Sequence, residues 1–226
     1  MKSLLLALAL TFSCPLWATS PQILEVLEAT RNDLEVLWDV SMKRANVSAL
    51  TQFDHDQFDL SLGVLKKIRE TGAIIVRNNG VIQLRNVTLG SASSIGISYQ
   101  LESGDEWLGD FHTHPYDYES INDLPFSPRD FVNLMQNKKM HRAGYFALIK
   151  SGPSYFAMEI LDPSKLAAYE AEQKRLATES GLSIFDYVYK KFYSINRGQS
   201  IQEIQMNSLK LIMGDPAVSG VMLWKI

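Results

Sequence analysis

Cysteine is nearly absent. The 226 residues hold one, Cys14, and it falls in a stretch that reads as a leader. Met1-Lys2-Ser3 is followed by the apolar run Leu4 to Leu10, and Leu16-Trp17-Ala18 offers a small residue for cleavage. The run is too short to cross a bilayer, so residues 1–18 are read as a secretory signal peptide. Phe12 argues against Cys14 as a lipoprotein acceptor. The processed chain then has no cysteine, which excludes disulfides, thiolate metal ligands and a cysteine nucleophile. The expected location is periplasmic or secreted, with no membrane contact after signal removal. Clusters of Lys and Arg are also missing. With a formal charge of −3, moving to −4 on loss of Lys2, the chain is not expected to bind nucleic acid. Histidine is scarce, at four residues: His55, His112, His114 and His141.

What is present reads as an α/β protein. Ile23, Leu27, Leu34, Leu37 and Trp38 recur at helical spacing between Ser20 and Asn46, as one long amphipathic helix or two short ones. Phe58 to Arg69 reads as a helix that runs into the β-branched stretch Thr71 to Val76, and Asn78-Asn79-Gly80 fits a hairpin turn. Val81 to Leu89, Ser94 to Leu101 and Glu106 to His114 follow as strands. Successive strands with tight turns predict an antiparallel or mixed sheet. Ser127 is a good N-cap, with Pro128 at the first helical position and Asp130 at the third, and the helix is expected to reach about Lys139. Tyr145 to Lys150 and Tyr155 to Leu161 are two more strands. After Asp162-Pro163 come helices to Glu179, over Phe185 to Tyr193 and over Ile201 to Met213, then a short strand from Val221. The stripe Phe185, Val188, Tyr189, Phe192 is read as core. His55 is read as a loop or cap residue and His141 as a surface residue.

Half of the histidines lie in Gly109-Asp110-Phe111-His112-Thr113-His114-Pro115. On a strand, residues two apart point to one face, so His112 and His114 stand side by side, roughly 6–7 Å apart at Cα. Two imidazoles so placed, with Asp130 as a carboxylate third, can converge on zinc and leave a fourth position open, the ligand count of a catalytic site. Each piece alone is weak. Asp130 at the third helical position has a simple capping reading, and Glu70 alone is an ordinary carboxylate at a helix–strand junction. Asp110 shares the face of both histidines and could orient one of them.

Taken together, Glu70-Thr71-Gly72-Ala73-Ile74-Ile75, His112-Thr113-His114-Pro115 and Ser127-Pro128-Arg129-Asp130 resemble the JAMM (JAB/MPN) zinc metallopeptidases, as a secreted bacterial member. The resemblance covers roughly residues 58–161. It implies a JAB/MPN-like fold, similar to cytidine deaminases, in which a central mixed sheet carries flanking helices. Carried over, it implies that His112, His114 and Asp130 bind Zn2+. Glu70 would take a proton from the attacking water and pass it to the leaving amine, and Ser127 would donate to the oxyanion. Glu102, Glu106 and Glu119 compete with Glu70, but only Glu70 begins a strand. The stretch between His114 and Ser127 is longer than in eukaryotic deubiquitinating members, and its residues 116–123 are expected to border the cleft.

The expected organisation is a signal peptide over 1–18, an N-terminal helical segment over 19–57, the JAB-like catalytic domain over 58–161, and a C-terminal helical elaboration over 162–226. The expected activity is metal-assisted hydrolysis of a peptide or isopeptide bond in a peptide or protein substrate. The alternative is an inert JAB-fold interaction module. Zinc deamination of a base is disfavoured because its site would use cysteines.

Overall fold

The computed structural model describes residues 20–42, 69–91, 94–115, 125–193 and 201–226. It is an α/β arrangement with one six-stranded mixed sheet and helices on both faces. The strands are β1 (Thr71–Asn78), β2 (Val81–Leu89), β3 (Glu106–Thr113), β4 (Phe146–Ser151), β5 (Ser154–Ile160) and β6 (Val221–Lys225). The helices are α1 (Pro21–Ser41), α2 (Pro128–Gln136), α3 (Pro163–Glu179), α4 (Ile184–Tyr193), α5 (Ile201–Met213) and the single turn α6 (Pro216–Ser219). The spatial strand order is β2-β1-β3-β4-β5-β6, open at both edges. All neighbours run antiparallel except β3 and β4. A parallel pair needs a crossover, and α2 supplies it. Among the described residues, no helix is long and apolar enough to cross a membrane.

Strand alternation sends apolar side chains into two cores. Ala73, Ile75, Phe111, Phe146 and Leu148 pack with Ile23, Leu27, Leu34 and Leu37 of α1. Ile74, Val76, Ala147, Ile149, Phe156 and Met158 pack on the other face with α2, α3, α4 and α5. The five apolar positions expected of the first helix are all buried, in one continuous helix as far as Ser41. At the tip of β1–β2, Asn79 and Gly80 have φ of 49° and 79°, the pair of positive values that a tight hairpin turn requires.

Several sequence expectations shift. Residues 94–101 form no ladder strand. The segment is extended, with Ile95, Ile97 and Tyr99 turned inward, but its carbonyls at Ser98 and Gln100 accept from the side-chain amide of Asn86. The α2 helix stops at Gln136, followed by a 3₁₀ turn over Lys138–Met140. His141 is half-buried, and its Nε2 donates to the carbonyls of Leu134 (3.2 Å) and Met135 (2.8 Å), closing the end of α2. Of the stripe on α4, Val188 and Phe192 are core, while Tyr189 is exposed. The region after Ile160 covers one face of the sheet and adds β6 to its edge, sharing a single core through Leu166, Val188, Leu209, Ile212 and Val221. The expected helix over 58–69 lies almost wholly outside the described residues, as do His55, Glu119 and the loop 116–123.

A bulge sets the phase of β3. Ile75 pairs with Gly109 but Val76 pairs with Trp107, so Leu108 is one extra residue. The Trp107 indole N–H donates to Gly109 O at 2.8 Å, across the irregularity. Arg142 donates to Trp107 O and lies over the Trp107 ring, 4.6 Å from its centroid. Beyond the bulge, Phe111 and Thr113 face α1, and Asp110 and His112 face α2.

Candidate metal centre

The donor set comes from two elements whose relative position the crossover fixes. His112 is near the end of β3, and His114 follows it as the amide donor to Lys150 O (2.9 Å), which continues the pairing with β4. Asp130 sits in the first turn of α2. There it forms a capping box: the Ser127 amide and the Ser127 hydroxyl each donate to Asp130 Oδ2 at 2.7 Å, and the Asp130 amide returns a bond to Ser127 Oγ.

The three side chains converge. The Nε2 atoms of His112 and His114 are 3.0 Å apart, and the nearest carboxylate oxygens of Asp130 are 3.5 Å from each. One donor atom from each residue lies within 4.8 Å of the others, so the cluster could hold a metal ion. Both imidazoles are buried, and the Phe126 ring meets the His112 ring edge-on with centroids 6.3 Å apart. Burial would raise the Asp130 carboxyl, but the two histidines outweigh it and hold Asp130 well below the carboxylate range. Burial works against a charged His112, and the carboxylates of Asp130, Glu70 and Asp110 reverse that, leaving His112 raised. A pocket of carboxylates facing ring nitrogens is a cation-binding environment.

Glu70 immediately precedes β1. Gly72 pairs with His112, so the antiparallel register carried on by two residues sets Glu70 opposite His114. Its backbone is pinned from the β2 side, with its amide bonded to Ser91 O and its carbonyl to Gly90 N, both at 2.8 Å. The side chain is buried. Burial raises its pKa above the ordinary glutamate value; positive charge on His112 or His114 opposes that shift, and Asp130 reinforces it. The two competing carboxylates among the described residues are elsewhere: Glu102 pairs with Arg85 and Glu106 with Arg77, both exposed.

Asp110 accepts from the Tyr145 hydroxyl, so its hydrogen-bond partner is a tyrosine and not His112. Its influence on His112 is through charge. Burial pushes the Asp110 carboxyl up to about 6, against the opposing pull of Tyr145 and His112. Beside His112 and Asp130 opens a cavity of about 70 Å³, lined by Ile95, Ile97, Tyr99, Asn133, Leu134 and Met140. Gly72 lets this wall close on the sheet, because a Cβ there would stand 2.9 Å from Ile95 Cδ1 and from Phe111 O.

Sequence reasoning singled out neither Tyr145 nor Tyr99, and no local pattern marks them: they reach the site through strand register and an extended segment. Thr113, between two candidate ligands, sends its side chain to the opposite face of the strand, where it meets Ser41 and Thr71. Comparison with known proteins gives no match: no protein-family model, curated protein or solved structure matches the chain.

Proposed function

We propose that the chain is a zinc-dependent hydrolase that cleaves a peptide or isopeptide bond, a secreted or periplasmic metallopeptidase of the JAMM type with a JAB/MPN-like sheet. The observation that carries this reading is the convergence of His112, His114 and Asp130 with Glu70 buried opposite His114. The donor set fits zinc in kind and in spacing. Tetrahedral ligands at about 2.0–2.1 Å from one ion stand about 3.3 Å from each other; here the two Nε2 atoms are 3.0 Å apart, and each has an Asp130 oxygen at 3.5 Å, Oδ1 for His112 and Oδ2 for His114. Two imidazoles and one carboxylate leave a fourth position open, as hydrolytic zinc sites do.

Zinc in such a site acts as a Lewis acid and lowers the pKa of a water it binds to about 7. The chain supplies the remaining parts. Glu70, its proton affinity raised by burial, would accept a proton from the attacking water and deliver it to the leaving amine. Ser127 would donate to the developing oxyanion. In this structure its hydroxyl is bonded to Asp130 Oδ2, but the Ser127 amide donates to the same oxygen and holds the carboxylate if the hydroxyl turns away. The pocket beside His112 would take part of a peptide substrate.

Metal analysis of the purified full chain tests the proposal. About one zinc per chain is expected, lost in His114→Ala and in Asp130→Ala. Glu70→Gln should retain the metal and lose turnover on a peptide library. A wild-type protein that takes up no zinc, or a Glu70→Gln variant with full turnover, overturns it.

A further inference from the structure

Behind the two histidines, on the α1 side of β3, Thr113 joins a buried knot of hydroxyls with Thr71 and Ser41. All three residues are buried. The bonds can be given a direction. Ser41, the last residue of α1, donates to Arg69 O at 2.6 Å, and Thr71 Oγ1 donates to Leu37 O at 3.0 Å. The Thr113 proton is then left for Ser41 Oγ, 2.8 Å away, and Thr113 Oγ1 accepts from the Thr71 amide at 2.9 Å. One oxygen therefore joins three elements: the end of α1, the start of β1 and the end of β3. Its position matters, because His112 and His114 flank Thr113, and Arg69 and Thr71 flank Glu70. Both neighbours of the proposed base and the single residue between two proposed ligands are tied to the same turn of helix.

We propose that Thr113 is a positioning residue for the metal centre, its hydroxyl locking the His112/His114 pair, and the Glu70 strand beside it, against the C-terminal turn of α1. This rests on the reading of His112, His114 and Asp130 as a metal site and names what holds that site in shape. The backbone at Thr113 sets the angle between the two imidazoles. Without the hydroxyl, the Thr71 amide is left buried and unsatisfied, so the junction must shift to find another acceptor. Groups that orient ligands from behind commonly change metal affinity by 10–100-fold when removed. The N-terminal helix would then be part of the functional unit and not only a cover for the sheet.

The test uses the full chain with Zn2+ and Co2+ as probes. Thr113→Val keeps the shape and removes the hydroxyl, Thr113→Ser keeps the hydroxyl, and Ser41→Ala removes only the link to α1. Affinity is read by competition titration, and ligand geometry by the visible absorption of the Co2+ form, alongside melting of the metal-free proteins. Thr113→Val is expected to bind Zn2+ on the order of tenfold more weakly with an altered Co2+ spectrum, Thr113→Ser to return both toward wild type, and Ser41→Ala to fall between. A purely structural role would lower melting of the metal-free form and leave affinity and spectrum unchanged, and that result overturns the proposal. So does a Thr113→Ser variant no better than Thr113→Val. If Thr113→Val does not fold, wild-type affinity in Ser41→Ala overturns it. A wild-type chain that binds neither ion sinks the metal-site reading itself, and the proposal with it.

Discussion

Asp130 Oδ2 accepts from both the amide and the hydroxyl of Ser127 at 2.7 Å and stands 3.5 Å from His114 Nε2. The carboxylate that starts a helix is thus also the one aimed at the imidazoles. Ser127→Ala separates these duties. Loss of an N-cap hydroxyl costs about 1 kcal/mol of stability, which chemical denaturation reads. Zinc content should persist, because the amide still orients the carboxylate, while turnover falls by about 10²–10³-fold if the hydroxyl serves the oxyanion. Loss of zinc to the extent seen with Asp130→Ala would reassign Ser127 to holding the ligand.

Asp110 is expected to make the metal-free protein pH-sensitive. Its folded-state pKa, about 6 against an ordinary 3.8, is raised chiefly by burial. A raised pKa means that the protonated form is the stabilising one, so this contribution is complete below about pH 4 and is lost as the pH climbs through 6. Asp110→Asn keeps an acceptor for Tyr145 and carries no charge. In EDTA the variant should gain about 2–3 kcal/mol over wild type between pH 4 and pH 8, from two pKa steps. Urea melts across that range check it, and a difference that does not change with pH refutes it.

Zinc should stabilise the fold through the same cluster. A ligand at a hundred times its dissociation constant adds about 2.7 kcal/mol to a protein that binds it only when folded. Thermal melting should rise with Zn2+, return with EDTA, and fail to respond in Asp130→Ala. An equal response in that variant would place the ion elsewhere.

Gly109 is where the backbone admits no side chain. A Cβ there would lie 2.1 Å from Phe146 O and 3.1 Å from two carbons of the Phe146 ring. Gly109→Ala must push β4 away at the pair just ahead of Asp110, with an expected loss of about 3 kcal/mol or more, the top of the overpacking range. Gly96, with nothing within 4 Å, is the control, and its alanine variant should melt within about 0.5 kcal/mol of wild type.

The helices and the ladder strands were legible because burial follows their periods. Ile23 to Trp38 marks one face of α1, and Asn79-Gly80 states its turn in the two positive φ values. Residues 94–101 show where that reading ends. Alternation at Ile95, Ile97 and Tyr99 reports which side is covered, not what the backbone bonds to, and here the partner is the Asn86 side chain. The site divides in the same way. His112, His114 and Asp130 are close in sequence, and their convergence follows from a strand end and a helix start. The Asp110–Tyr145 bond and the Thr113 knot depend on which strand lies beside which, and strand order is a property of the whole sheet.

The bulge at Leu108 decides which side of the sheet does chemistry. Were the same residues to run in strict alternation from Trp107, Phe111 and Thr113 would look toward α2, and both imidazoles would be thrust into the hydrocarbon beneath α1. The spare residue resets the pleat, so that Gly109 answers Ile75 just as Trp107 answers Val76. A codon lost at Leu108 itself would smooth the ladder and leave every proposed ligand on its present side.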